Sequence, residues 1–178
     1  MTEAELIKGC VQQNKKYQHL LFTQYAGKLF TVCRRYAIDD MEAEDMLQEG
    51  FIRIFNNIHK FKFEGSFEGW MRKVVVNVAL KHLQKKKVQI TEIKQSATED
   101  FSLSTSAYDD LNEEALLKLI HQLPEGYKIV FNMAVIEGYS HDEIARFLHI
   151  QPSTSRSQLV KARKMLQEQI LKLQKIAV

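Results

Sequence analysis

The sequence predicts an all-α protein, built from two small helical domains joined by a flexible acidic linker. Apolar residues recur at helical spacing along most of the 178 residues, and only 7 Gly and 2 Pro provide tight turns. Charge is unevenly distributed, with 15 basic against 10 acidic residues in 1–87, 1 against 7 in 88–114, and 9 against 5 in 115–178. Two basic blocks around an acidic one indicate two modules that each face a polyanion.

We place the domains at residues 1–87 and 111–178, with the linker at 88–110. Helical periodicity is lost in the linker, which is rich in Ser, Thr and acidic residues. Such a segment buries too little apolar surface to offset the entropy of ordering, so we expect it to be flexible.

Four helices are predicted in the first domain, over about residues 4–13, 17–36, 41–59 and 68–85. Asp39 or Asp40 is placed to cap the third helix. One side of that helix is apolar, and the other carries polar residues, namely Asp45, Gln48, Glu49 and Arg53. On composition alone, a face of this kind is ordinary solvated surface.

A short aromatic loop, 61–67, precedes a basic helix. Bases of single-stranded nucleic acid stack on aromatic rings while lysines hold the backbone, so the segment is suited to bind an unpaired strand. The alternative is that the rings belong to the core and that the lysines at the helix end favour the macrodipole. The residues alone favour this alternative.

The second domain is predicted to contain helices at 111–121 and 127–137, followed by a helix-turn-helix at 137–166. Ser140 and Glu143 form an S-x-x-E capping box, and Pro152 suits the first position of the last helix. An apolar stripe then faces the core through Leu159, Ala162, Leu166, Ile170 and Leu173.

The opposite face of the last helix is basic and rich in hydroxyl groups. It carries Ser153, Ser157, Val160, Lys161 and Lys164, with Arg156 and Arg163 at its sides. Arg and Lys contact guanine or phosphate and Ser contacts either, so this face suits the major groove of DNA. A plain helical hairpin with a solvated basic face is the alternative.

Catalytic and metal-binding motifs are missing from the sequence. There is no phosphate-binding glycine loop, no nucleophile elbow and no second His four residues after His141 to form a zinc-protease motif. Cys10 and Cys33 lack metal-ligand spacing and indicate reduced thiols in a cytoplasmic protein. Neither a membrane span nor a signal peptide is predicted. We therefore expect a non-enzymatic protein without a cofactor.

Four stretches, in order, resemble the sigma-70 family of bacterial RNA polymerase sigma factors, in its extracytoplasmic-function (ECF) group. They are Asp45–Phe55 (D-x-x-Q-E-x-F-x-R-x-F), Phe67–Ala79 (F-x-x-W-x-x-x-V-x-x-N-x-A), Leu123–Phe131 (L-P-x-x-Y-x-x-V-F) and Gly138–Arg163, which contains G-Y-S-x-x-E-I-A. The resemblance covers nearly the whole chain.

The resemblance implies an alternative sigma factor with three working surfaces and, as is common in the group, an anti-sigma factor as partner. Core RNA polymerase would be bound by Asp45, Gln48, Glu49 and Arg53. The melted −10 strand of the promoter would be bound by Phe63, Ser66, Phe67, Asn77, Lys81 and Lys85. The −35 duplex would be bound by Ser153, Arg156, Ser157, Val160, Lys161 and Lys164.

Three places depart from what the family usually shows, the first being Pro152 and Ser153, which replace the more usual acidic or glycine residues at the start of the recognition helix. His149 occupies a turn position where the family has Gly, and Gly50 lies within the docking helix, where it costs about 1 kcal/mol relative to Ala. A conventional helix-turn-helix regulator is the alternative function. Such a protein needs a ligand pocket or a dimerisation helix, whereas the N-terminal block here is basic and carries the docking pattern.

Overall fold

The computed structural model describes residues 1–92 and 113–176, and within these ranges every regular element is helical. The chain divides into two compact units, Met1–Thr98 and Glu99–Val178. The predicted all-α class with two helical regions is confirmed. Most of the predicted flexible linker lies outside the described residues.

The first unit contains four α-helices. They are α1 (Glu3–Val11), α2 (Lys15–Arg34), α3 (Asp40–Asn57) and α4 (Phe67–Glu92), with a 3-10 turn at Ile58–Lys60. Helices α2, α3 and α4 pack on one another, and α1 packs on α2. The side chains with no exposed surface are Leu21, Leu29, Cys33, Tyr36, Ala43, Met46, Ile54, Phe67, Met71, Val75, Val78 and Ala79.

Polar side chains cap the N-termini of α3 and α4. Asp39, and not Asp40, caps α3, because its Oδ1 accepts a hydrogen bond from the backbone N–H of Glu42 at 2.8 Å. Ser66 Oγ accepts from the N–H of Gly69 at 3.2 Å and so caps α4. Both caps satisfy N–H groups that have no partner inside the helix, and they define where each helix starts.

Two glycines allow helices of the first unit to approach closely. A Cβ added at Gly9 on α1 would lie 2.2 Å from Cγ of Tyr17, and one at Gly50 on α3 would lie 3.0 Å from Cγ2 of Val75 on α4. The close approach of α4 at Gly50 therefore explains why a residue of poor helix propensity occurs within α3.

The second unit contains four further α-helices. They are α5 (Glu113–His121), α6 (Glu125–Phe131), α7 (His141–Leu148) and α8 (Pro152–Ile176), with a π-helical turn at Asn132–Ile136 between α6 and α7. The core of this unit includes Leu119, Ile120, Leu123, Ala162 and Leu166, with Ile170 and Leu173 partly buried against it. The predicted apolar stripe of the last helix is confirmed, since Leu159 is buried as well.

The helix-turn-helix joint follows local rules. The Ser140–Glu143 capping box is present in both directions, and Pro152 is the first residue of α8. His149 adopts the left-handed conformation that ends α7, with φ 53° and ψ 44°. The family's usual Gly adopts this conformation without strain, whereas a residue with a Cβ does so at a cost.

The structure differs from the predicted helix bounds in two places. Helix α4 continues to Glu92, which takes it past Lys85 and into the predicted linker. The single helix predicted over residues 127–137 is instead α6 followed by a π-helical turn that begins at the buried Asn132. A turn with π-type bonding interrupts the 3.6-residue repeat on which the prediction relied.

Candidate nucleic-acid interface

The outer face of α8 presents every −35 candidate to solvent. Ser153, Arg156, Ser157, Val160, Lys161 and Lys164 are all exposed. Val160, the one apolar member, is 66% exposed. Because the buried stripe on the other side anchors α8, this face has one defined orientation in the unit.

A contact from α6 supports the middle of this face. Lys161 Nζ lies 6.0 Å from the centroid of the Tyr127 ring, within the range of a cation–π interaction. The hydroxyl of Ser157 donates to the backbone carbonyl of Thr154 at 2.9 Å, so one of its hydrogen-bonding roles is already used.

A hydrogen bond that periodicity does not predict joins the two helices of the motif. Nδ1 of His141, the first residue of α7, lies 2.8 Å from Oγ of Ser155, which is fully buried in the first turn of α8. The bond satisfies a buried hydroxyl that would otherwise be costly. It therefore holds the start of α8 against the start of α7.

The aromatic loop of the first unit is a connected cluster of rings. Phe61 lies 5.1 Å from Phe63, 5.0 Å from Phe67 and 5.8 Å from Trp70, between ring centroids, and the rings of Phe67 and Trp70 are nearly parallel. Phe63 is 60% exposed at the outer end of the cluster. Its φ of 57° is rare for a bulky residue, which indicates that the surrounding loop imposes this backbone conformation.

The assignment of Phe67 to the strand-binding surface is corrected by the structure. Phe67 is the first residue of α4 and has no exposed surface. It packs edge-on against Tyr25 of α2, with ring centroids 6.2 Å apart. Phe67 therefore supports the loop from inside, whereas Phe63 and Ser66 are exposed.

The remaining −10 candidates lie on α4. Lys81 and Lys85 are exposed, and Asn77 is half-buried. The Oδ1 atom of Asn77 is buried and has no hydrogen-bond partner among the described residues. Half-buried Trp70 is two turns before Asn77, so the helical repeat places the two on one face. Trp70 was not among the residues predicted for this site.

The outward face of α3 presents Asp45 and Gln48, both exposed. Two large apolar side chains extend this face at either end: Met41, 75% exposed, and Ile52, 60% exposed. The spacing Met41, Asp45, Gln48 and Ile52 follows one side of a helix. This face is therefore polar at its centre and apolar at its two ends. The two apolar residues were missed because they lie outside the apolar stripe that the sequence analysis followed.

Glu49 lies at the seam between α3 and α4, where both of its carboxylate oxygens are engaged. Arg53 donates to Oε1 through Nε at 2.9 Å and also through Nη2, and Nε2 of His82 lies 2.7 Å from Oε2. The hydrogen bond from His82, followed by those from Arg53, lowers the pKa of the Glu49 carboxyl below its ordinary value. Glu49 is therefore an ionised acceptor that connects two helices.

No cluster of three or more metal-ligating side chains occurs within the described ranges. Cys10 and Cys33 are both buried free thiols. Burial raises the pKa of Cys10 to about 11 and that of Cys33 to about 12, so neither is a ready nucleophile at neutral pH. No helix in the described part of the chain is both long and apolar enough to cross a membrane.

The fold and these surfaces define a two-part helical DNA-binding protein, and comparison with known families specifies the class. The Sigma-70 region 2 model matches residues 21–88, and the Sigma-70, region 4 model matches residues 113–166. Together these matches cover more than half of the chain. The chain belongs to the sigma-70 family, in the ECF group of sigma factors, and it is an alternative sigma factor that directs transcription initiation.

Similar proteins span almost the full length of the chain. The ECF RNA polymerase sigma-E factor of Haemophilus influenzae is 28% identical over 182 residues, covering 96% of this chain and 96% of the relative. The ECF RNA polymerase sigma factor SigW of Bacillus subtilis is 28% identical over 181 residues, covering 93% and 97%.

Two solved structures share the fold at low sequence identity. The sigma factor RpoE of Bartonella quintana, solved with the anti-sigma factor NepR, has a TM-score of 0.58 and 16% identity, covering 84% of this chain and 94% of that one. CnrH, solved with the cytosolic domain of CnrY, has a TM-score of 0.51 and 15% identity, covering 93% and 94%.

Proposed function

We propose that the outer face of α8 binds the −35 promoter element as duplex DNA. The observation that carries the proposal is that all six candidate side chains, Ser153, Arg156, Ser157, Val160, Lys161 and Lys164, are exposed on a helix whose opposite face is buried. An α-helix with this pattern fits the major groove, where Arg makes paired hydrogen bonds to guanine and an apolar side chain contacts the thymine methyl group.

The aromatic loop and α4 bind the −10 element as an unpaired strand. Phe63 offers a mostly exposed ring on which a base extruded from the stack can pack. Ser66 lies at the exposed start of α4, and Asn77 contributes an amide whose oxygen lacks a partner. Lys81 and Lys85 lie further along α4 and hold phosphates of the same strand. Phe67 contributes by supporting the loop.

The outward face of α3 binds core RNA polymerase. Asp45 and Gln48 form the polar centre of this surface, and Glu49 and Arg53 extend it toward α4. Met41 and Ile52 add exposed apolar side chains at its two ends, and their burial on binding contributes to the affinity.

Three further features complete the proposal. The protein acts in the cytoplasm as a dissociable polymerase subunit with no catalytic activity of its own. Its domains are residues 1–87 and 111–178 with a linker at 88–110, bounds that agree with family matches ending at 88 and resuming at 113. An anti-sigma factor holds it inactive, as suggested by the similar fold of RpoE, which was solved with the anti-sigma factor NepR.

Reconstituted transcription tests the proposal. The protein is added to core RNA polymerase from the same bacterium, with its genomic DNA as template, and the transcript starts are mapped. We expect starts that share paired −35 and −10 elements. If the protein does not stimulate the polymerase but binds specific DNA sites tightly by itself, it is a conventional helix-turn-helix regulator instead.

A further inference from the structure

The carboxylate of Glu49 is unusual on the α3 surface because it is held from another helix. Asp45 and Gln48 point outward and are exposed, whereas the Glu49 side chain is 32% exposed and contacts His82 of α4. The two residues are 33 positions apart in the chain, so only the packing of α3 on α4 brings them together.

Arg53 alone does not hold this carboxylate in place. It is on the same helix, one turn after Glu49, and its side chain is 39% exposed. Ion pairs of this kind within a helix are weak because water competes for both groups. The contact from His82 adds a point of attachment on a second helix, which removes the remaining rotational freedom of the carboxylate.

Helices α3 and α4 are closely packed next to this contact. Gly50, next to Glu49, allows the approach of Val75, and Val75 is fully buried and stiff because it is β-branched. His82 lies two turns after Val75 on α4, on the same side of the helix. The imidazole is thus presented to Glu49 from a rigid seam, and its own side chain is 26% exposed.

The direction of the hydrogen bond follows from the charge of Glu49. An ionised carboxylate only accepts, so Nε2 of His82 carries the proton and donates. Two hydrogen bonds from Arg53 to Oε1 and one from His82 to Oε2 leave one acceptor position of the carboxylate unused, and these contacts orient the group before a partner binds. A partner that approaches α3 with a cationic side chain then meets an oriented acceptor and avoids part of the ordering cost of binding.

We propose that His82 is a positioning residue for the binding of core RNA polymerase, since it fixes the orientation of Glu49 on the α3 surface from the neighbouring helix α4. The inference rests on the proposed docking role of α3. His82 itself does not contact the polymerase, and its effect passes entirely through Glu49.

A matched pair of variants tests this role with the full-length protein. In His82→Gln, the amide nitrogen lies as far from the backbone as Nε2 of histidine and can still donate to Glu49. In His82→Asn, the amide is too short to reach. Affinity for purified core polymerase is measured by titration of labelled protein, and thermal unfolding is recorded for each variant. His59→Asn, at an exposed histidine of the same unit, is the control.

We expect His82→Asn to bind core polymerase about tenfold more weakly, the loss expected for one charge-assisted hydrogen bond, with most of the affinity restored in His82→Gln. In a Glu49→Gln background, His82→Asn should cause no further loss, because its effect passes through the carboxylate. Wild-type affinity in His82→Asn, or an equal loss in both backgrounds, would overturn the inference.

A different set of variants tests the proposed docking role of α3 separately from the role of His82. Asp45→Lys places a cation at the centre of the α3 surface without touching His82. If Asp45→Lys and Glu49→Gln both bind core polymerase normally, the docking surface itself is misassigned. If Asp45→Lys alone abolishes binding, the surface is correct, and Glu49 with its positioning residue is not part of it.

Discussion

The α8 face and the surfaces of the first unit hold their candidate residues in different ways. On α8, all six side chains extend from one helix into solvent, and their arrangement follows from the helical repeat alone. In the first unit, Phe67 is buried and Glu49 is bonded across two helices. Phe63, in a left-handed conformation, is the mostly exposed ring of the aromatic cluster.

The difference corresponds to the ligands proposed for each region. A duplex presents a regular groove, and one exposed helix face is sufficient to fill it. An unpaired base needs a site whose shape exists before binding. Each element that became ordered only on binding would add an entropic cost and weaken the affinity. We therefore expect packing changes to disturb the first unit strongly and the α8 face weakly.

The largest effect is expected from Gly9→Ala. The added Cβ would meet the Tyr17 ring at 2.2 Å, and we expect about 3 kcal/mol of destabilisation from overpacking. Fluorescence of Trp70, the single tryptophan, reports urea unfolding of the first unit. Gly27→Ala is the control, because nothing lies within 4 Å of its added Cβ. This variant should be stabilised by up to about 1 kcal/mol, since Ala has a higher helix propensity than Gly. Equal stability of the two variants would contradict the close packing of α1 on α2.

A smaller effect, on DNA binding and not on stability, is expected from Arg156→Ala. Loss of a paired contact to a guanine should weaken binding by about 1–3 kcal/mol and relax the preference at one −35 position. Competition between promoter variants for the holoenzyme measures both changes. Lys164→Ala should instead weaken binding to all sequences alike and reduce the salt dependence. An unchanged base preference in Arg156→Ala would assign that side chain to a phosphate.

His149→Gly should stabilise the second unit by about 0.5–1 kcal/mol, because glycine adopts the left-handed conformation without a Cβ clash. Urea unfolding followed by circular dichroism measures the gain. His149→Ala keeps the strain and removes only the imidazole, so it should bring no gain. Stabilisation by both variants would show that the side chain, and not the backbone conformation, is the source of strain.

The smallest effect concerns the acid stability of the first unit. Because the pKa of Glu49 is lowered on folding, its ionised form stabilises the unit above the ordinary pKa range of glutamate. This contribution is lost as the pH falls through the lowered value. The wild-type protein should therefore be more stable than Glu49→Gln at neutral pH, and the difference should vanish in acid. A difference that does not change with pH would exclude a role for the charge.

Sequence alone determined the features that depend on neighbouring residues. The Ser140 capping box, the Pro152 helix start, the buried stripe of α8 and its exposed basic face were all predicted, because caps and amphipathic spacing act within a few turns of one helix. The family resemblance followed from ordered local motifs of the same kind.

Only the tertiary structure determined the features that require contact between elements distant in the sequence. Three phenylalanines in one loop look alike in sequence, and only the packing of α4 on α2 turns Phe67 inward and leaves Phe63 exposed. Likewise, Glu49 looks like one more surface carboxylate until α4 brings His82 within 2.7 Å. Helical periodicity fixes the face on which a residue lies, whereas the element that covers that face depends on how the whole chain packs.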